Sequence, residues 1–169
     1  MRQILDVEPA ELKRWLVEHG QQGFRAAQIR RWLMVGRATS FTEMTDLPQK
    51  LRDLLSTEFK ILSATVARHT RADDGTEKLL LQLADGGRIE CVLLRDGERR
   101  SICISTQVGC AMGCVFCASG LDGVDRNLTT GEIVEQMLLL QRLLPADERL
   151  SHIVVMGMGE PLANLDRLL

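Results

Sequence analysis

The stretch Cys103-Ile-Ser-Thr-Gln-Val-Gly-Cys110-Ala-Met-Gly-Cys114-Val-Phe-Cys117 decides how this chain is read. Its last eight residues form a C-x3-C-x2-C cluster. Structural zinc takes four ligands, usually as two separated C-x2-C pairs, and here the fourth ligand is missing. His19, His69 and His152 are each isolated in the sequence, and none completes the set at a normal spacing. Thiolates also suit iron–sulfur clusters, and most [4Fe–4S] clusters use four cysteines. Three cysteines on one loop therefore point to a cluster with one iron left open to an outside ligand. The competing reading is three buried structural cysteines. Gly109 and Gly113 leave the loop free to wrap a cluster. Cys103 lies outside ligand spacing and reads, like Cys91, as a small apolar core residue.

Downstream, Thr129 with Glu132 three residues on is a capping-box signature, followed by Ile133, Val134, Met137, Leu138 and Leu140 as a helix that Pro145 closes. His152-Ile-Val-Val-Met156 suits a buried parallel strand. Strand, loop, helix and strand make a βαβ unit. Asn164 reads as the cap of a last helix. After one βαβ unit the second strand would keep an unpaired edge, so the chain reads as the front part of a longer protein. Gly157-Met-Gly159-Glu160-Pro161 follows the second strand, where glycines permit close approach by a ligand and a carboxylate can accept from an ammonium group. The competing reading is a plain turn. The third glycine of a dinucleotide fingerprint is missing, which removes that reading.

Upstream, Leu62 to Ser105 reads as a small antiparallel sheet, with Asp73-Asp-Gly75, Asp85-Gly-Gly87 and Arg95-Asp-Gly97 as hairpin turns. Glu90 alternates with Val92 and Leu94 in an otherwise apolar row, where desolvation would raise a carboxyl pKa towards that of a useful general base. The pattern equally allows a solvated edge glutamate. The first 60 residues read as three short helices. In the first, Leu12, Trp15 and Leu16 share a face before Gly20. The second, Phe24 to Val35, offers Phe24, Ala27, Trp32 and Leu33 as core. The third starts near Pro48 with Leu51, Leu54 and Leu55 apolar.

Composition sets limits on function. Of 169 residues, 45% are apolar and 26% charged, as in a globular protein and unlike a disordered one. Net charge is −2, so no global field draws in nucleic acid. The first 60 residues nevertheless carry ten basic and eight acidic side chains, and Gln21 to Ser40 holds Arg25, Arg30, Arg31 and Arg37 with no acid. Those arginines suit either a solvated helix face or phosphate contact. Aromatics are only 4%, which supports no base-stacking platform. No membrane span or secretory leader is recognisable, which predicts a cytoplasmic protein whose five cysteines serve metal or redox chemistry.

The cysteine cluster, with an aromatic before its last member and after the first strand of an α/β core, resembles the radical-SAM superfamily. Cys103-Ile-Ser-Thr-Gln-Val-Gly-Cys110, Arg126-Asn-Leu-Thr-Thr-Gly-Glu-Ile-Val and Val154-Val-Met-Gly-Met-Gly-Glu-Pro-Leu-Ala-Asn164 narrow it to the adenine methyltransferases of the RlmN and Cfr type. Phe24-Arg-Ala-Ala-Gln-Ile and Phe41-Thr-Glu-Met-Thr-Asp-Leu-Pro48 resemble that family's N-terminal accessory domain. The resemblance implies an α/β fold: an incomplete radical-SAM (βα) partial barrel over residues 96–169, preceded over 1–95 by an accessory domain of three short helices and antiparallel strands. It implies that Cys110, Cys114 and Cys117 bind a [4Fe–4S] cluster and that Gly159 and Glu160 bind S-adenosyl-L-methionine. It makes Glu90 the proton acceptor and Cys103 the resolving cysteine of a transient disulfide. The partner cysteine, which carries the methyl group, belongs to the family's C-terminal part and has no counterpart in these residues, so the chain alone is expected to be inactive. Implied partners are 23S rRNA, tRNA and an electron donor such as a flavodoxin, with oligomeric state left open. The reaction implied is methylation of adenine C2. A C8-specific branch, and a non-enzymatic metal-binding RNA module, are the alternatives.

Overall fold

The computed structural model describes residues 1–169, which divide into two compact units, Met1–Ser63 and Ala64–Leu169.

The first unit holds three helices, α1 (Pro9–Glu18), α2 (Arg25–Met34) and α3 (Gln49–Glu58), with a parallel pair of two-residue strands, β1 (Arg2–Gln3) and β2 (Phe59–Lys60). Pro9 stands in the first turn of α1, where its missing N–H costs no hydrogen bond. Ser40 and Glu43 form a capping box on a short 3-10 turn between α2 and α3. Leu12, Leu16, Ile29, Leu33, Leu51 and Leu55 build the core. On α2 the buried stripe is Ala26, Ile29 and Leu33, and Phe24 and Ala27, expected inside, are exposed. The helix starts at Arg25, so its 3.6-residue period places 26, 29 and 33 on one face.

The second unit is built on a five-stranded sheet in the order β3-β4-β5-β6-β9. Strands β3 (Thr65–Arg71), β4 (Glu77–Gln82), β5 (Arg88–Asp96) and β6 (Arg99–Cys103) are antiparallel neighbours joined by the three expected hairpin turns. A second pair, β7 (Gln107–Gly109) and β8 (Val124–Asn127), brackets the cysteine loop. Helix α4 (Thr130–Gln141) begins at the expected capping box of Thr129 and Glu132. Strand β9 (His152–Val154) then pairs in parallel with β6, completing the βαβ unit. Its burial differs from expectation: β9 is the sheet's edge strand, and Ile153 is 51% exposed.

The division at Ser63 differs from the expected one at residue 95. Strands β3 to β5, assigned from sequence to the accessory part, belong to the same sheet as β6 through the β5–β6 pairing. Strands β4, β5 and β6 share a core of Leu79, Leu81, Ile89, Cys91, Leu93, Ile102 and Ile104. A boundary at 95 would cut the β5–β6 hairpin. The final helix, α5 (Leu165–Leu168), has no side-chain cap, because the Asn164 amide expected to cap it donates instead to the carbonyls of Thr106 and Leu128.

Candidate active site

Alternation along β5 buries Ile89, Cys91 and Leu93 on the side packed by α4, and leaves Glu90 and Val92 half-buried on the other. Antiparallel register sets Val92 opposite Cys103. Glu90 and Cys103 therefore lie on one face of neighbouring strands, the face away from α4. Glu90 does not have the burial expected of it. Its side chain is 43% exposed and its Oε1 is 3.0 Å from Lys78 Nζ on β4. The apolar row it belongs to is the less buried side of the sheet.

Cys103 is half-buried, and burial pushes its thiol above the ordinary range, partly offset by a hydrogen bond from the Met156 backbone. Cys91 is buried on the core side, and desolvation pushes its thiol up to about 12, which fits a packing role. All five cysteines are free.

The cysteine loop leaves β7 at Gly109 and returns at β8. Gly109 has φ +76°, and a β-carbon there would lie 2.2 Å from the Gly123 carbonyl oxygen. Only glycine allows that closure, which Cys110 N–H seals by donating to the same oxygen at 2.8 Å. Cys110 is buried at the base, Cys117 is half-buried and Cys114 is exposed. The N–H of Ser119, then its hydroxyl, lower the Cys117 thiol pKa. The structure does not draw these three, or any three His, Cys, Asp or Glu side chains, into a metal-ion site. The donor set itself, three free thiols in eight residues with no carboxylate or imidazole among them, fits an iron–sulfur cluster.

Gly157 and Gly159 do not open onto empty space. A β-carbon at Gly157 would fall 2.7 Å from Ile104 O, and one at Gly159, where φ is +104°, 2.7 Å from both Gln107 Cβ and Thr106 Oγ1. These glycines let the 157–160 turn press against the segment that runs from Cys103 to Cys110. Glu160 lies at the end of this turn, where one carboxylate oxygen accepts from Leu162 N–H at 3.1 Å. The Thr106 hydroxyl, on a residue 1% exposed, has no hydrogen-bond partner, so a buried polar atom stands beside Gly159, in keeping with a ligand site there.

Sequence reasoning missed the polar groups that hold these segments. Arg126 donates to both oxygens of Glu132, at 2.7 and 2.8 Å, and to Asp85 at 2.6 Å, tying β8 to α4 and to the β4–β5 turn. Asp85 is held down to about 2 by Arg126 first and by the Gly87 N–H. On α4, Glu132, Glu135 and Gln136 are all buried. A polar residue in a helix pattern reads as solvent-facing, and only the capping box marked Glu132.

Known proteins place this arrangement. Residues 2–61 match the family described as ribosomal RNA large subunit methyltransferase N-terminal domain. A relative in Rhodopirellula baltica, named "Probable dual-specificity RNA methyltransferase RlmN", is 73% identical over 94% of this chain and 43% of its own length. One of the same name in Staphylococcus haemolyticus is 49% identical over 94% of this chain and 44% of its own. The crystal structure of a radical SAM methyltransferase from Sphaerobacter thermophilus superposes with a TM-score of 0.92 at 40% identity, over 99% of this chain and 50% of that one. The fold is thus the mixed α/β fold of a radical-SAM methyltransferase. The chain is similar to the N-terminal portion of these RlmN-named relatives, and it spans less than half their length.

Proposed function

We propose that this chain is the cofactor-binding portion of a radical-SAM methyltransferase that modifies C2 of adenine in 23S rRNA and tRNA. One observation carries the reading: the cysteine loop, the 157–160 turn and the sheet face bearing Glu90 and Cys103 meet along the single segment from Cys103 to Cys110. In this reading the βαβ unit is the start of a partial barrel, and Cys110, Cys114 and Cys117 hold a [4Fe–4S] cluster. Bound there, the cluster would supply the electron for reductive cleavage of S-adenosyl-L-methionine, drawn from a donor such as a flavodoxin. The 114–117 stretch, half to fully exposed, is free to fold its thiols onto the cluster.

Gly159 and Glu160 bind the methionine end of S-adenosyl-L-methionine, Glu160 accepting from its ammonium group. Glu90 takes the proton released from adenine onto a carboxylate oxygen, with Lys78 Nζ 3.0 Å from its Oε1. Cys103, its thiol pKa raised by burial, loses its proton and attacks the sulfur that carries the product, forming a disulfide as the sulfur–carbon bond breaks and the electron pair leaves with the modified base. The arginine-rich α2, with Arg30 and Arg31 exposed and Arg25 5.5 Å over the Phe24 ring, contacts RNA phosphates. A cytoplasmic location follows from these substrates, and no helix is long and apolar enough to cross a membrane.

Nucleoside analysis of the host's RNA tests the function. Replacing Cys110 by Ala at the chromosomal locus is expected to abolish 2-methyladenosine in 23S rRNA and tRNA. Loss of 8-methyladenosine instead would assign the C8 reaction, and unchanged nucleosides would refute the proposal.

A further inference from the structure

Backbone hydrogen bonds hold the 157–160 turn at Gly157 and at Met158 O, which accepts from Thr106 N–H at 2.8 Å and Gln107 N–H at 3.2 Å. Two of its N–H groups are held by side chains, and the reason lies in where the backbone carbonyls of its neighbour point. Past Ile104, whose carbonyl accepts from Gly157 N–H at 3.0 Å, the carbonyls turn away from the turn. Ser105 O accepts from the Gln136 amide at 2.9 Å, and Thr106 O from Leu128 N–H at 2.9 Å and the Asn164 amide at 2.8 Å. The N–H groups of Met158 and Glu160 therefore need other acceptors, since an unpaired buried donor is costly.

Two side chains supply them. Ser105 Oγ accepts from Met158 N–H at 2.8 Å, and Gln107 Oε1 accepts from Glu160 N–H at 2.8 Å. Both are buried, at 0% and 4% exposure, and alternation puts them on the same side of the segment. Gly157 and Gly159, at the intervening positions, give the close approach that these short links need. Each side chain also reaches a second functional segment. Ser105 Oγ donates to the Glu90 carbonyl at 2.6 Å, and the Gln107 amide donates to Asn127 Oδ1 at 2.7 Å on β8, the strand that closes the cysteine loop.

We infer that Ser105 and Gln107 are positioning residues that set Met158, Gly159 and Glu160 against Glu90 and the cysteine loop, and so orient the S-adenosyl-L-methionine site. This inference rests on the function proposed above for Gly159 and Glu160. Neither residue touches the reacting atoms; both act through the turn.

The test uses the whole chain in wild-type, Ser105→Ala, Gln107→Leu and Gln107→Glu forms. Residue-resolved amide hydrogen exchange needs no cofactor. Ser105→Ala is expected to speed exchange at Met158, and Gln107→Leu at Glu160, each about tenfold or more, with β4 and β5 unchanged. Gln107→Glu keeps an acceptor and should keep Glu160 protected. Unchanged exchange at these amides, or a uniform rise across the unit, overturns the inference. In the reconstituted protein, the change that S-adenosyl-L-methionine makes in the electron paramagnetic resonance spectrum of the reduced cluster is the second readout. At equal iron content, Ser105→Ala and Gln107→Leu should need about tenfold more ligand for half the change, and titration at the wild-type concentration also overturns the inference. Failure of the wild type to respond to the ligand would instead refute the functional reading, leaving exchange to decide the positioning role.

Discussion

Glu90 and Cys103 share a sheet face but not an environment. Glu90 is half-exposed and paired with Lys78, and an exposed ion pair contributes only about 0–1 kcal/mol. Glu90→Gln should therefore shift the unfolding free energy by no more than about 1 kcal/mol. The same substitution at the chromosomal locus should abolish 2-methyladenosine. Normal modification in that strain would remove Glu90 from the reaction. Cys103 and Cys117 differ in the opposite sense, burial raising one thiol and the Ser119 hydrogen bonds lowering the other. Because the thiolate is the nucleophile, Cys117 should be alkylated by iodoacetamide at lower pH than Cys103 in the metal-free chain. Peptide mass mapping across pH 6–10 reads both sites, and the reverse order would contradict these environments. The sequence showed Glu90 and Cys103 as members of alternating rows. Which side of the sheet α4 covers is a tertiary fact, so their burial was not legible.

At the scale of elements, the cysteine loop is a closed device. Its base requires glycine at 109, both for φ +76° and for the 2.2 Å approach to the Gly123 carbonyl. Gly109→Ala should lower cluster uptake and destabilise the second unit by more than the roughly 1–2 kcal/mol of a left-handed residue alone. Iron content after reconstitution, with urea unfolding, checks both. Beside the loop, Arg126 holds the Asp85 carboxyl at about 2, below its ordinary value of roughly 3.9. A depressed folded pKa gives stability that is present above about pH 4 and lost as pH falls through about 2. The stability gap between wild type and Asp85→Asn should accordingly shrink from pH 5 to pH 2, and remain small throughout because Asp85 is half-exposed. A gap that widens in acid would contradict the pairing. The hairpin turns and the Thr129 cap were legible because Asp-Gly and Thr129 with Glu132 are local chemistry, whereas the Asn164 side chain is taken by the distant carbonyls of Thr106 and Leu128. The β7–β8 pair was not, because a three-residue strand closing a fourteen-residue loop has no periodicity to read.

At the scale of the whole molecule, each unit has its own apolar core, Leu16, Ile29 and Leu51 in one and Leu81, Ile89 and Ile102 in the other. Ile29→Ala should cost the first unit about 2–5 kcal/mol, read by circular dichroism melts, and leave cluster uptake by the second unchanged. Loss of the cluster in that variant would show the units to be energetically coupled. The order of elements was legible from period changes along the chain. The boundary at Ser63 was not: the Arg95-Asp-Gly97 hairpin signals that β5 pairs with β6, but nothing local assigns this sheet to the βαβ unit rather than to the helices before it.

In the function proposed above, Cys110, Cys114 and Cys117 hold a four-iron cluster with one iron open to S-adenosyl-L-methionine. Mössbauer spectroscopy of the anaerobically reconstituted chain, before and after adding that ligand, tests it most directly. The expected result is a [4Fe–4S] spectrum in which one of the four irons changes on addition, and no cluster in Cys114→Ala. Stoichiometric zinc with no iron uptake, or four irons indifferent to the ligand, would contradict it.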